Sequence, residues 1–153
     1  MSAEAGSVMS PLNIGIENSR RFRALPVYAN LLALGRKGFI DMLESQIALA
    51  RAIAQFIDNS DFYELLPLER PDQVVPGYRN IYVIVLFRLK DWTSMANKDL
   101  VRRINSSGKI YVSGTTWRSY PACRFAISNW QSSIEKDFKV IEEVLDTVAR
   151  GGD

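Results

Sequence analysis

The sequence predicts an α+β fold: a small antiparallel sheet with helices packed on it, preceded by a long helical segment. Three observations carry this. Apolar residues recur at three- and four-residue steps from Phe39 to Ile57 and again from Ile134 to Val148, the spacing of a helix with one buried face. A nearly continuous β-rich run, Ile81-Tyr82-Val83-Ile84-Val85-Leu86-Phe87-Arg88-Leu89, suits a central strand covered on both faces. Two further β-branched and aromatic runs, Lys109 to Thr115 and Ala122 to Ser128, flank a turn at Trp117 to Pro121 and make a hairpin.

In chain order, residues 1–18 form an extended arm without periodicity, whose apolar Leu12, Ile14 and Ile16 are placed to lie against another surface. Residues 19–60 are a helical segment. Its first run holds Leu25, Tyr28, Leu31, Leu32 and Leu34 and starts near Arg23 or Ala24, because Pro26 is tolerated only in a first turn; Gly35 can end it. The second helix, through about Asn59, turns Phe39, Leu43, Ile47, Ala50, Ile53, Ala54 and Ile57 inward and Asp41, Glu44, Gln46, Arg51 and Gln55 outward. Residues 61–153 then form a small C-terminal α+β domain: a short strand over 62–66, a proline-bearing loop over 67–79, the central strand, and a helix to about Ser107 with Leu100, Val101 and Ile104 inward and Gly108 after its end. The hairpin follows. The last helix opens at Ser132, with Glu135 at capping-box spacing, and buries Ile134, Phe138, Ile141, Leu145 and Val148.

Composition excludes several function classes. The 153 residues carry 19 basic and 17 acidic side chains for a net charge of +2, too balanced to draw nucleic acid or an anionic membrane. There is no membrane-length apolar segment and no signal-peptide layout, and a single cysteine, Cys123, fits a reducing cytoplasm. With no histidine at all, Ser-His-Asp triads, His-ligated zinc and imidazole acid/base catalysis are excluded within the chain. No P-loop spacing exists. The six lysines sit at turns or on polar faces, without the desolvation or neighbouring cation that would make one a nucleophile. No catalytic, cofactor-binding or metal-binding residue is therefore assigned. Arg20, Arg21 and Arg23 are too few for a nucleic-acid patch and fit local contacts with carboxylates and carbonyls.

One cation stands out. Alternation along the second hairpin strand puts Cys123, Phe125 and Ile127 on the apolar face and Ala122, Arg124, Ala126 and Ser128 on the other. If that face is open, Arg124 is an ordinary solvated residue. If another layer covers it, an anion must be close, since an unpaired buried charge costs several kcal/mol, and a carboxylate suits the two parallel donors of a guanidinium.

Four ordered motifs carry a resemblance: Ser19-Arg20-Arg21-Phe22-Arg23-Ala24-Leu25-Pro26-Val27-Tyr28, Gly35-Arg36-Lys37-Gly38-Phe39, Arg103-Ile104-Asn105-Ser106-Ser107-Gly108-Lys109-Ile110 and Cys123-Arg124-Phe125-Ala126-Ile127-Ser128. Together they resemble the C-terminal third of group II pyridoxal-phosphate-dependent amino-acid decarboxylases, nearest the aromatic-amino-acid branch. The resemblance implies the C-terminal region of a fold type I enzyme, an intimate homodimer using pyridoxal 5'-phosphate, with the helical segment joining its large and small domains. It also implies what this sequence lacks: the family's cofactor-binding lysine follows a histidine, and a second histidine stacks on the cofactor ring. Neither can be present without histidine, so the resemblance implies a C-terminal portion inactive alone, missing an N-terminal large domain and a second subunit. It places one functional residue, Arg124, facing the α-carboxylate of the amino-acid substrate. Decarboxylation needs the bond from Cα to the carboxylate held perpendicular to the cofactor ring, and a bidentate clamp can orient it. Two alternatives stand beside this: a non-catalytic α+β assembly or dimerisation module, and a sheet that stacks single-stranded nucleic acid on Tyr82 and Tyr111, which near-neutral charge disfavours.

Overall fold

The computed structural model describes residues 21–66, 77–90 and 94–151; the expected arm over 1–18, Ser19, Arg20 and most of the loop over 67–79 lie outside them. The chain divides into two compact units, Met1–Lys37 and Gly38–Asp153.

In the first unit a turn, closed by the Leu25 amide donating to the Phe22 carbonyl at 3.1 Å, leads into helix α1 (Leu25–Asn59), with Pro26 in the first turn where its missing N–H costs nothing. One helical span covers what the sequence divides in two, but the break falls where expected. Gly35 leaves helical geometry at φ 57, ψ −176, a region essentially reserved for glycine. Every residue from Arg21 to Leu34 is exposed, including Phe22, Leu25, Val27, Tyr28, Leu31 and Leu32, each more than half so.

The second unit is a four-stranded antiparallel sheet with helices on it. Its strands are β1 (Tyr63–Leu66), β2 (Ile84–Leu89), β3 (Ser113–Trp117) and β4 (Tyr120–Ala126), in spatial order β1-β2-β4-β3. The β-rich central run is thus an inner strand, as its composition requires. It is trimmed to Ile84–Leu89, and only Val85 and Phe87 are fully buried, so it is not covered equally on both faces. The expected hairpin joins β3 to β4 through Arg118 and Ser119, both at positive φ (48° and 69°), the geometry that matches a two-residue turn to the twist of the strands. Lys109 to Val112 stay out of the ladder because Asn105 takes over Val112: its Oδ1 accepts the Val112 amide at 2.8 Å and its Nδ2 donates to the Val112 carbonyl at 2.9 Å.

Helix α2 (Ser94–Ser106) buries Leu100 and Ile104 and closes at Gly108, φ 66. Helix α3 (Lys139–Ala149) follows a π-helical turn over Ile134–Phe138. The cap expected at Ser132 with Glu135 falls one residue later. Ser133 Oγ accepts the Lys136 amide at 3.3 Å, and Asp137, four residues on because the turn is π-helical, returns a carboxylate to the Ser133 amide at 2.9 Å. Ile134 consequently points outward, 41% exposed, while Ile141, Leu145 and Val148 are buried as expected.

The core joins Ala50, Ile53 and Ile57 of α1, Leu100 and Ile104 of α2, and Leu145 and Val148 of α3 to Tyr63, Val85, Phe87, Cys123 and Phe125 of the sheet. Phe87 stacks on Phe125 (centroids 5.6 Å apart) and meets Tyr63 edge-on, and the Tyr63 hydroxyl donates to the Leu145 carbonyl at 2.8 Å. Two readings of the second helix are corrected. Leu43, expected inward, is exposed, and Gln46, expected outward, is buried, its Nε2 donating to the Asn129 carbonyl at 3.2 Å.

Candidate substrate-carboxylate site

The parity read from sequence holds along β4. Cys123, Phe125 and Ile127 enter the core, and Arg124, Ala126 and Ser128 are exposed; Ala122, on the Arg124 side, is buried. Register places Arg124 opposite Leu86 on one side and Ser113 on the other, at the middle of the sheet rather than at its rim. Directly paired residues share a face, so Arg124 lies between an apolar strand (Ile84, Leu86) and a hydroxyl-bearing one (Ser113, Thr115). Its guanidinium has no ion-pair partner among the described residues.

Sequence reading missed a second feature of this face. Glu64 and Arg88 are cross-strand partners in β1 and β2, and Arg88 Nε donates to Glu64 Oε2, both side chains at most 21% exposed. The sequence carries the signal, since Arg88 interrupts a β-rich run, but using it requires knowing that β1 pairs with β2. The shielded pair gives Arg88 a carboxylate, whereas among the described residues none pairs with Arg124. In the expected motif around Arg103, that guanidinium donates through Nη2 to the Val148 carbonyl and so ends α3, a structural task.

The cofactor does not fit this chain by itself. All six lysines are exposed, and one of them, Lys90, donates to the Ser60 carbonyl at 2.6 Å, so none has the dry surroundings of a carbonyl-binding amine. Burial pushes the Cys123 thiol up to about 12, which makes it a core group and not a nucleophile. Among the described residues no cluster of three His, Cys, Asp or Glu side chains offers a metal site, and no helix is long and apolar enough to cross a membrane.

The fold and this face define a small α+β domain whose sheet carries, on the side opposite its core, an exposed arginine with no ion-pair partner among the described residues. No family model matches the chain. It is 23% identical over 95% of its length to a tryptophan decarboxylase of Camptotheca acuminata, and 26% identical over 99% to tyrosine decarboxylase 2 of Narcissus pseudonarcissus. It spans about three tenths of the length of these curated relatives, 29% and 30%. Among solved structures, Oryza sativa TDC with PLP and tryptamine superposes with a TM-score of 0.73 at 21% identity, covering 95% of this chain and 30% of that one. Catharanthus roseus tryptophan decarboxylase in complex with L-tryptophan gives 0.67 at 22% identity, covering 88% and 28%. The resemblance read from the four motifs therefore stands: the homologues are plant aromatic amino-acid decarboxylases, and the fold is that of a C-terminal portion of the group II pyridoxal-phosphate-dependent decarboxylases.

Proposed function

We propose that this chain forms the carboxylate-facing wall of a pyridoxal-phosphate-dependent amino-acid decarboxylase, with Arg124 as the residue that receives the substrate α-carboxylate. One observation carries the reading: an exposed arginine without an ion-pair partner among the described residues, at the centre of an inner strand, on the face of the sheet opposite the core. The relatives support it from another side. Their names run over tryptophan, tyrosine and histidine decarboxylases, so the region they share with this chain suits a role common to all amino acids, and the α-carboxylate is the common group. The cofactor belongs to the upstream portion, which the exposed apolar surface of Leu25 to Leu34 supports by offering a face for it. The complete enzyme is a cytoplasmic homodimer, and the chain alone is inactive.

Arg124 works by docking. A guanidinium clamp stabilises the ground-state carboxylate, whose charge is lost as carbon dioxide leaves, so it contributes to orientation more than to lowering the barrier of the bond-breaking step. The rival, a non-catalytic assembly module, is favoured by the same apolar surface and differs in needing no cofactor. To separate the two, the chain is mixed with pyridoxal phosphate and borohydride and its mass measured. The proposal expects no specific adduct on the chain alone, and decarboxylase activity when the upstream portion is supplied. A single stoichiometric lysine adduct on the isolated chain would overturn the assignment of the cofactor upstream, and a complete protein without activity would favour the assembly module.

A further inference from the structure

Hydroxyls that serve the backbone in this domain do so at close range. Ser45 donates to the Ser132 carbonyl, Ser106 to that of Arg103 and Ser107 to that of Ile104, each at 2.7 Å, and Thr147 donates to that of Glu143 at 2.8 Å, the ordinary separation for such a bond. Ser113 is different. Its Oγ lies 3.5 Å from the Arg124 carbonyl, so its proton is held loosely and turns to a better acceptor at little cost. Register makes this slack hydroxyl the direct neighbour of the substrate-facing arginine: Ser113 and Arg124 are cross-strand partners in β3 and β4, which sets their Cβ atoms about 5 Å apart on one face. The partner on the other side, Leu86 of β2, brings no polar side-chain atom. Ser113 is only half-buried, so a ligand held by Arg124 can reach it.

Building on the assignment of Arg124 to the substrate, we propose that Ser113 is a second carboxylate-binding residue, its hydroxyl donating to a carboxylate oxygen that the guanidinium also holds. A carboxylate offers about four acceptor positions, and a guanidinium fork fills two of them. A further donor comes from the β3 side, because Leu86 has none to give. Nε is the guanidinium nitrogen nearest the backbone, and a carboxylate received on the edge made by Nε and one Nη, on the side away from Leu86, comes down beside Ser113. A hydroxyl there fixes how the plane of the carboxylate is turned, which a guanidinium on a flexible stem does less well alone. Thr115 also carries a hydroxyl on this face, but its partner is Ala122, and the diagonal keeps it about 7 to 8 Å from Arg124. Arg124 supplies charge and Ser113 supplies direction.

The test is calorimetric binding to the polypeptide completed by its upstream portion, a readout that needs no turnover. Two probes, 3-(indol-3-yl)propionate and 3-(4-hydroxyphenyl)propionate, carry the carboxylate without the amine; two others, tryptamine and tyramine, carry the amine without the carboxylate. Ser113→Ala is expected to weaken the propionates roughly tenfold and to leave the amines within about twofold, while Ser113→Thr, which keeps the hydroxyl, and Thr115→Ala leave all four within about twofold. Unchanged amine binding also shows that each variant keeps its fold. Propionate binding that is lost in Arg124→Ala but kept in Ser113→Ala overturns the role of Ser113 and leaves that of Arg124 standing. Equal weakening of amines and propionates by Ser113→Ala, or an equal loss in Thr115→Ala, makes the residue structural and overturns the proposal as well. Propionate binding unchanged in Arg124→Ala, or absent from the wild type, fails the assignment of Arg124 and with it that of Ser113.

Discussion

Arg124 and Arg88 lie on the same face of the same sheet and are held there for different reasons. Arg88 is shielded and paired with Glu64, and Glu64→Ala, which removes this ion pair, is expected to destabilise the domain by about 1 kcal/mol in urea unfolding. Arg124 has no such partner among the described residues, and Arg124→Ala is expected to leave the melting temperature within about 2 °C of wild type, as for an exposed residue outside the packing. A large loss on Arg124→Ala would make the residue structural. Burial sets a pH limit as well. It holds the Cys123 thiol neutral up to about 12 and pushes the Tyr63 phenol up too, whereas the unfolded thiol ionises near its ordinary 9.0. The unfolded chain therefore sheds this proton first. Stability contributed by the neutral thiol is complete below pH 9 and falls as pH rises from 9 toward 12, by about 1.4 kcal/mol per pH unit for each such group. Thermal melts across pH 7 to 11 check this, and a flat alkaline limb would contradict it.

At the scale of elements, the junction between α2 and β3 depends on one side chain. Asn105 satisfies both backbone groups of buried Val112, so Asn105→Ala is expected to cost about 2 to 3 kcal/mol and to raise amide exchange at Val112. Retained protection there would show that water replaces the amide. Asn105 also shows how far sequence reaches. Its motif is recognisable, yet its partner lies across a loop and depends on where the strand begins. Elements with a strong period were legible: the core side of β4, the inward Leu145 and Val148, and the break at Gly35. The cap expected at Ser132 lies one residue later, at Ser133, because the π-helical turn, invisible in a 3.6-residue pattern, adds a residue to the capping interval. Gln46 was misassigned because a polar residue on a helix is read as solvated until a carbonyl, here that of Asn129, comes to meet it. The Glu64 and Arg88 pair escaped notice because cross-strand partners are set by register, which tertiary folding decides.

For the whole molecule the decisive feature is what the chain leaves uncovered: Arg124, exposed on the sheet face opposite the core, and the apolar stretch from Leu25 to Leu34, which carries no charged side chain and is exposed throughout. A helix this apolar is stable in water only when packed, so Leu31→Glu with Leu32→Glu is expected to lower self-association and dye binding of the isolated chain, read by sedimentation and 1-anilinonaphthalene-8-sulfonate fluorescence. An unchanged sedimentation profile and dye signal would place the sticky surface elsewhere. The span of about three tenths of its relatives' length agrees with a surface built for a larger assembly. The central claim, that this assembly is a decarboxylase whose carboxylate contact is Arg124, is tested most directly by steady-state kinetics of Arg124→Ala in the polypeptide completed by its upstream portion. The account expects KM to rise by roughly tenfold or more with kcat changed by only a few fold; a fall in kcat at unchanged KM would contradict it.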